Sequence, residues 1–172
     1  MTFTVGLNYD YLCARNRMIE QKMQEVKTLR QPHRFDAQTN AISVLQGFTV
    51  EAAWAQYNNA PYVFRPYEPL GDDVLGYQLR STKHDDGHLI TYERDANAIY
   101  ILGICNDICT TVKFVGWSTK KRANIPSHWQ THLNGYKLHE AAYCTSQQEL
   151  WSFDLMPATG YLVEHRKQLV GA

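Results

Sequence analysis

The stretch Asp72-Asp73-Val74-Leu75-Gly76-Tyr77-Gln78-Leu79-Arg80-Ser81-Thr82-Lys83 carries the strongest pattern in the chain. An acidic pair comes first, and the triplet Gln78-Leu79-Arg80 follows it in a run of residues that favours a β-strand. Magnesium-type ions prefer oxygen ligands, so an aspartate and an amide oxygen could hold one while a nearby cation contacts the same phosphate. The stretch therefore predicts a strand that carries a candidate metal site.

The length of 172 residues is typical of one domain with a single core. We expect residues 1–172 to form that domain, with a helical part at 1–60, a sheet with the candidate site at 61–118 and a C-terminal wrap at 119–172. The expected fold class is α+β (α/β-like). Two N-terminal helices would precede a mostly antiparallel or mixed central sheet and short C-terminal helices.

The charge balance restricts the possible partners. The chain has 17 basic and 17 acidic residues, so a strongly basic nucleic-acid binder is excluded and any DNA contact must come from a local patch. The first residues resemble no signal peptide, and no run approaches 18 apolar residues. The four cysteines do not require disulfides. We expect a soluble, cytoplasmic protein without a membrane partner.

Hydrophobic periodicity predicts a first helix from Tyr9 to Leu29, which Pro32 would end. A second helix would begin near Asp36 or Thr39 and continue to Ala55. Five segments rich in β-branched and aromatic residues predict a meandering antiparallel sheet. They are Tyr62–Phe64, Asp73–Thr82, His88–Tyr92, Ala98–Ile104 and Thr111–Trp117. Ser118 or Thr119 would cap a short helix that ends at Ala123, and the remainder is predicted to be irregular and to cover the sheet edge.

Four pieces of sequence, in this order, resemble phage-encoded members of the PD-(D/E)XK nuclease-like superfamily. They are Gly47–Tyr57, Asp73–Thr82, Gly87–Ile90 and Phe114–Trp117, and the similar region spans residues 37–130. The resemblance implies a restriction-endonuclease-like fold and hydrolysis of phosphodiesters in DNA. A phage-encoded protein of this type would act in the host cytoplasm, and many such nucleases work as homodimers.

The resemblance also implies roles for single residues. Glu51 would take the helix acidic position, Asp73 that of the metal-binding aspartate, Gln78 the acidic position of the triplet and Arg80 the position of its lysine. Glu51, Asp73 and a backbone carbonyl near Leu79 would hold Mg²⁺ or Mn²⁺, with Gln78 as a neutral ligand. Arginine stays charged and cannot act as a base, so Arg80 would clamp a phosphate.

Other interpretations of these residues remain open. Asp72 replaces Asp73 as the ligand if the hairpin register differs by one residue. Alternatively, Asp73 is an ordinary turn residue, and Gln78 and Arg80 form the solvated face of an edge strand. Glu51 is expected to be partly buried, because Ala52, Ala53 and Ala55 allow its helix to pack closely on the sheet.

Basic and aromatic residues suggest where DNA would bind. Lys120, Lys121 and Arg122 could line a groove for the phosphate backbone together with Arg80, Lys83 and Lys113, although such a run can also be a solvated helix face. Of the aromatic residues, Tyr92, Trp129 or Tyr136 could stack on unpaired bases.

A second set of residues has the spacing of a different metal site. Cys105 and Cys109, with His128 and His132, match the paired spacing of a zinc site. The two pairs are far apart in sequence, and a cysteine at the end of an apolar strand is commonly a small buried hydrophobe, so we do not expect zinc. His128, His132, Asn134 and His139 could suggest an HNH-type nuclease, but the flanking ββα pattern is missing.

Two hypotheses follow. The first is a magnesium-dependent DNA nuclease with a degenerate QxR triplet. The second is a catalytically inactive nuclease-fold protein that binds DNA or a host protein, as an accessory or anti-defence factor of a phage. The substitutions at Gln78 and Arg80 support the second hypothesis.

Overall fold

A computed structural model of the chain describes residues 1–28, 37–62 and 73–157. Within them the chain forms three α-helices and seven strands. In chain order these are β1 Phe3–Gly6, α1 Tyr9–Thr28, α2 Ala37–Tyr57, β2 Tyr77–Thr82, β3 Leu89–Thr91, β4 Ile99–Cys105, β5 Thr111–Thr119, α3 Lys120–Ala123, β6 Trp129–Leu133 and β7 Tyr136–Thr145. Short 3₁₀ turns lie at Pro126–His128, Gln147–Glu149 and Phe153–Leu155. The fold is α+β, as expected.

The central sheet has four strands in the order β1-β5-β4-β2. β5 pairs antiparallel with both β1 and β4, whereas β2 runs parallel to β4. The expected antiparallel meander is therefore wrong for β2 and β4, which run parallel. The chain leaves the sheet between β2 and β4 to form β3, which joins a second sheet in the order β3-β7-β6. It then returns in the direction of β2, so the sheet is mixed.

The N-terminal helices agree closely with the prediction, and α2 is the more deeply buried of the two in its second half. Its residues Ala52, Ala53 and Ala55 are fully buried, and a Cβ at Gly103 of β4 would come within 2.9 Å of the Val50 side chain. Small residues on both elements thus let α2 approach the sheet closely, as predicted from the alanines. None of the helices in the described ranges is both long and apolar enough to cross a membrane.

The central sheet has an apolar cluster on each face. Trp54 of α2 packs with Tyr77, Leu79 and Phe114 on one face. Tyr100, Leu102, Ile104, Val115 and Leu89 of the second sheet form the cluster on the other face. Side chains alternate along a strand, so Gln78 and Arg80 lie on the face of Tyr100, opposite the face that α2 covers.

The C-terminal part contains more regular structure than predicted. β6 and β7 form a hairpin whose turn residues, Asn134 and Gly135, both have positive φ values of 49° and 81°. This pattern defines a type I′ turn, the common two-residue hairpin connection. After β7, the chain returns to the central sheet at Trp151, whose backbone exchanges hydrogen bonds of 3.1 and 2.9 Å with Trp117 of β5.

Some elements differ from the sequence predictions or fall outside the described residues, among them Leu29 and Pro32 at the predicted end of α1. The strand β1 was missed, and Tyr62 lies in no strand. Phe64, Asp36 and Asp72 lie outside the described residues. Thr119 caps α3 as predicted, because its hydroxyl accepts a hydrogen bond from the Arg122 amide.

Candidate functional site

A tight turn fixes the position of Asp73 beside β2. Val74 and Tyr77 exchange backbone hydrogen bonds, and between them Leu75 and Gly76 have positive φ values of 55° and 86°. The turn folds Asp73 back along the edge of β2, where its Oδ2 accepts a hydrogen bond of 2.6 Å from the Leu79 amide. The N–H and C=O of one strand residue point to the same side, so the Leu79 carbonyl faces this edge as well.

Glu51 lies on α2 in the partly buried position that the sequence predicted. The hydroxyl of Tyr62 donates a hydrogen bond of 2.8 Å to its Oε2. Burial and the nearby negative charge of Asp73 raise the pKa of Glu51 from 4.5 to about 8, although the Tyr62 hydrogen bond acts in the opposite direction. Glu51 is therefore mostly protonated at neutral pH.

The charge of Asp73, in the turn before β2, thus acts on Glu51 of α2. The same environment acts on Tyr62, whose pKa is raised by burial and by the charge of Glu51. Two carboxylates in one poorly solvated place repel each other, and either a proton or a cation relieves that repulsion. The pair is the part of the predicted constellation that has the electrostatic character of a functional site. Gln78 and Arg80 lie on the other face of the sheet, with Tyr100.

The edge-strand alternative required Gln78 to be solvated. Only 8% of its surface is exposed, so that part of the alternative is wrong. It lies opposite Tyr100 in the parallel pairing of β2 with β4. β2 is nevertheless an edge strand within the described part of the chain.

Arg80 has three partners. Its guanidinium forms an ion pair of 3.0 Å with Asp95 and lies 5.1 Å from the centre of the Tyr100 ring. It also donates a long hydrogen bond of 3.4 Å to the Leu79 carbonyl. Burial, followed by the charges of Asp95 and Asp73, raises the pKa of Tyr100 to about 12. The charge of Arg80 acts in the opposite direction and lowers it. Asp73 and Arg80 therefore act on the same hydroxyl, so this electrostatic region extends from the edge of β2 to Asp95.

The predicted basic residues do not form one patch. Lys113 lies near the start of β5, whereas Lys120 follows its end, about 20 Å further along the strand. The Lys120 ammonium donates to the Glu93 and Asp95 carbonyls, and Arg122 donates to the Glu149 carbonyl while it covers the Trp151 ring. These two cations stabilise local structure, while the side chains of Lys83, Lys113 and Lys121 are exposed.

The cysteines and histidines of the alternative metal site are also separated. Cys105 and Cys109 are buried near the turn between β4 and β5, and burial raises the pKa of both thiols. His128 is buried beyond the other end of β5, where its ring nitrogens contact the Ala123 carbonyl and the Glu149 carboxylate. Across residues 1–28, 37–62 and 73–157, no three His, Cys, Asp or Glu side chains are grouped as a metal site.

Three residues of this region were not predicted from the sequence: Tyr62, Asp95 and Tyr100. Tyr62 and Tyr100 were assigned to strands without a role in the site, and Asp95 lies in the loop between β3 and β4, for which no role was predicted. Their contacts with Glu51 and Arg80 join positions 11 and 15 residues apart, which no local pattern reveals.

Comparisons with protein-family models, with curated proteins and with solved structures find no match to this chain. Its function must therefore be inferred from the chemistry of the site.

Proposed function

We propose that the chain is a divalent-metal-dependent nuclease that hydrolyses phosphodiester bonds in DNA, with a site of the PD-(D/E)XK type on a restriction-endonuclease-like fold. The observation that supports the proposal is the electrostatic coupling of two carboxyl groups, those of Glu51 and Asp73. Glu51 lies on α2 and Asp73 in the turn before β2.

The residues present fit a magnesium ion. Magnesium in proteins is commonly bound by one or two carboxylates, with water and substrate phosphates in the other positions. Glu51 and Asp73 supply two carboxylates, and the Leu79 carbonyl faces the same edge of β2 as Asp73. Bound there, the ion would polarise a phosphoryl oxygen and lower the pKa of a coordinated water.

The chain's own residues would contribute binding and proton control. Glu51 holds a proton at neutral pH, which it would give up when a cation binds. Tyr62 orients the Glu51 carboxyl through its hydrogen bond. Arg80 would contact a phosphate, and it would exchange part of its ion pair with Asp95 for that contact.

The test is calorimetric titration of Mg²⁺ and Mn²⁺, with a parallel cleavage assay on plasmid DNA. The informative variant is Asp73→Asn, because the amide keeps an acceptor for the Leu79 N–H while it removes the charge. Asp107→Ala is the control, since it removes an exposed aspartate from the turn between β4 and β5.

The nuclease proposal requires metal binding and metal-dependent cleavage in the wild type and in Asp107→Ala. Both should be lost in Asp73→Asn while its unfolding transition is retained. A wild type that neither binds metal nor cleaves DNA would contradict the proposal.

Arg80 favours a second candidate, a protein of the same fold that binds DNA or a host protein without catalysis. Its guanidinium is already engaged by Asp95 and Tyr100, and it cannot supply the proton chemistry of a lysine. The double variant Gln78→Glu with Arg80→Lys separates the candidates. If only the double variant cleaves DNA, the natural site is degenerate and the second candidate is correct.

A further inference from the structure

The hairpin of β6 and β7 extends beyond the second sheet. β3 pairs only with residues Tyr143–Thr145 of β7, so the outer part of the hairpin is a ribbon of two strands within the described part of the chain. Tyr136, beside the hairpin turn, is 80% exposed. Trp129, at the base of the hairpin, is 47% exposed and packs its ring against that of Tyr143. An exposed ribbon with aromatic side chains gains little stability from its own packing, which suggests that it contacts another molecule.

The charge of this ribbon differs from that of the whole chain. The chain has a formal charge of zero, yet residues 129–139 contain no acidic residue. Lys137, His132 and His139 are exposed there. The next acidic residue, Glu140, forms an ion pair with Arg94. The outer ribbon is therefore suited to a negatively charged partner.

We propose that the β6–β7 hairpin is a DNA-binding arm that lies in the major groove of a duplex. A two-stranded ribbon fits this groove, where Tyr136 can contact base edges and Lys137 a phosphate. The inference rests on the proposed function, because the duplex is the substrate of the proposed nuclease.

The base of the hairpin is attached to the loop that holds Arg80. Tyr143 of β7 donates a hydrogen bond of 2.7 Å to Glu93, and Glu140 pairs with Arg94. The next residue, Asp95, forms the ion pair with Arg80. The arm is thus connected to the site through three consecutive residues, so DNA bound by the hairpin would be held in a defined position relative to Arg80.

The experiment measures binding of a fluorescein-labelled duplex, and of one of its strands alone, by fluorescence anisotropy, in EDTA so that no cleavage occurs. The variants are Tyr136→Ala and Lys137→Ala. Tyr9→Ala is a matched control, because Tyr9 is 79% exposed on α1, away from the hairpin. All four proteins are checked by thermal unfolding and by light scattering for their oligomeric state.

We expect Tyr136→Ala to weaken duplex binding about tenfold, the order of magnitude of one good side-chain contact to a base edge in the groove. Lys137→Ala should reduce the slope of log affinity against log salt by about one, as the loss of one phosphate contact does. Tyr9→Ala should bind like the wild type.

Several results would overturn the inference. Hairpin variants that bind the duplex like the wild type would refute the arm and leave the nuclease proposal intact. Tighter binding of the single strand, or a dimer that dissociates in Tyr136→Ala, would assign the hairpin to a different partner. If the wild type does not bind the duplex, the arm is refuted, while the metal titration of Asp73→Asn still tests the site separately.

Discussion

Tyr62 donates a hydrogen bond of 2.8 Å to Oε2 of Glu51, and this bond lowers a pKa that burial and Asp73 raise. The result is a carboxyl group with a pKa of about 8, within the pH range of ordinary enzyme assays. Because the group changes charge in that range, its environment can be tested through both stability and metal affinity.

The first prediction concerns stability and pH. The folded-state pKa of Glu51 lies above its unfolded value of 4.5, so the contribution of the neutral carboxyl is fully present below pH 4.5 and is lost as the pH rises through about 8. Glu51→Gln keeps a neutral side chain at every pH. We expect it to be more stable than the wild type above pH 8, by on the order of a few kcal/mol, with the difference vanishing in acid.

Urea unfolding at a series of pH values measures this difference. Glu20→Gln is the control, because Glu20 is exposed on α1 and the substitution is chemically the same. Stability curves of the wild type and Glu51→Gln that run parallel through this pH range would show that Glu51 is not protonated in the folded protein.

The second prediction concerns metal binding and Tyr62. Tyr62→Phe removes the hydrogen bond that favours the charged carboxylate, so the pKa of Glu51 should rise further. A cation must then displace a more tightly held proton. We expect Mn²⁺ affinity at neutral pH to fall about tenfold, the effect of one hydrogen bond to a charged group, and to recover at high pH.

Calorimetry in buffers of different ionisation enthalpy would also count the released protons. The wild type should release nearly one proton per metal ion at neutral pH. Tyr57→Phe, which changes a tyrosine that is 54% exposed on the same helix as Glu51, should behave like the wild type. An equal loss of affinity at all pH values would mean that Tyr62 affects binding by another route.

Local sequence patterns were sufficient to predict the elements that bury an apolar stripe. The bounds of α1 and α2 follow from hydrophobic periodicity, and β4 and β5 from their runs of β-branched and aromatic residues. The electrostatic coupling of Glu51 with Asp73 could not be derived from the spacing of the two residues, because the two lie on different elements.

The remaining features depend on contacts that are distant in sequence. β2 and β4 can pair in parallel because the chain between them leaves the central sheet and forms β3 in the second sheet. Short windows of sequence do not show which sheet a strand joins. The β6–β7 hairpin was missed for a different reason. Its outer residues are exposed on both faces, so the alternation that marks a half-buried strand is absent, and only the Asn134-Gly135 turn indicated it.

The third prediction uses two glycines with opposite expected effects. Gly76 has a φ of 86°, and a Cβ there meets nothing within 4 Å, so Gly76→Ala introduces backbone strain without a clash. We expect it to destabilise the fold by about 1–2 kcal/mol. It should also weaken metal binding, because this turn positions Asp73.

Gly47→Ala is the matched substitution. Gly47 lies inside α2, and a Cβ there also meets nothing within 4 Å. Alanine in a helix interior should stabilise the protein by roughly 0.5–1 kcal/mol and leave metal affinity unchanged. Urea unfolding of both variants checks the two signs, and a neutral Gly76→Ala would show that the turn does not hold the positive φ.

The fourth prediction concerns the pair of His128 and Glu149, which joins the 3₁₀ turn before β6 to the one after β7. The hydroxyl of Ser146 and the His128 ring lower the pKa of Glu149 from 4.5 to about 2. The stabilisation from the charged carboxylate is therefore present above pH 4.5 and is lost as the pH falls through about 2. Glu149→Gln should lower the unfolding temperature most at neutral pH, and the difference from the wild type should shrink in acid.

Glu20→Gln, on the exposed surface of α1, should show no such trend. A Glu149→Gln deficit that is the same at every pH would mean that packing of the side chain, and not its charge, stabilises the two turns.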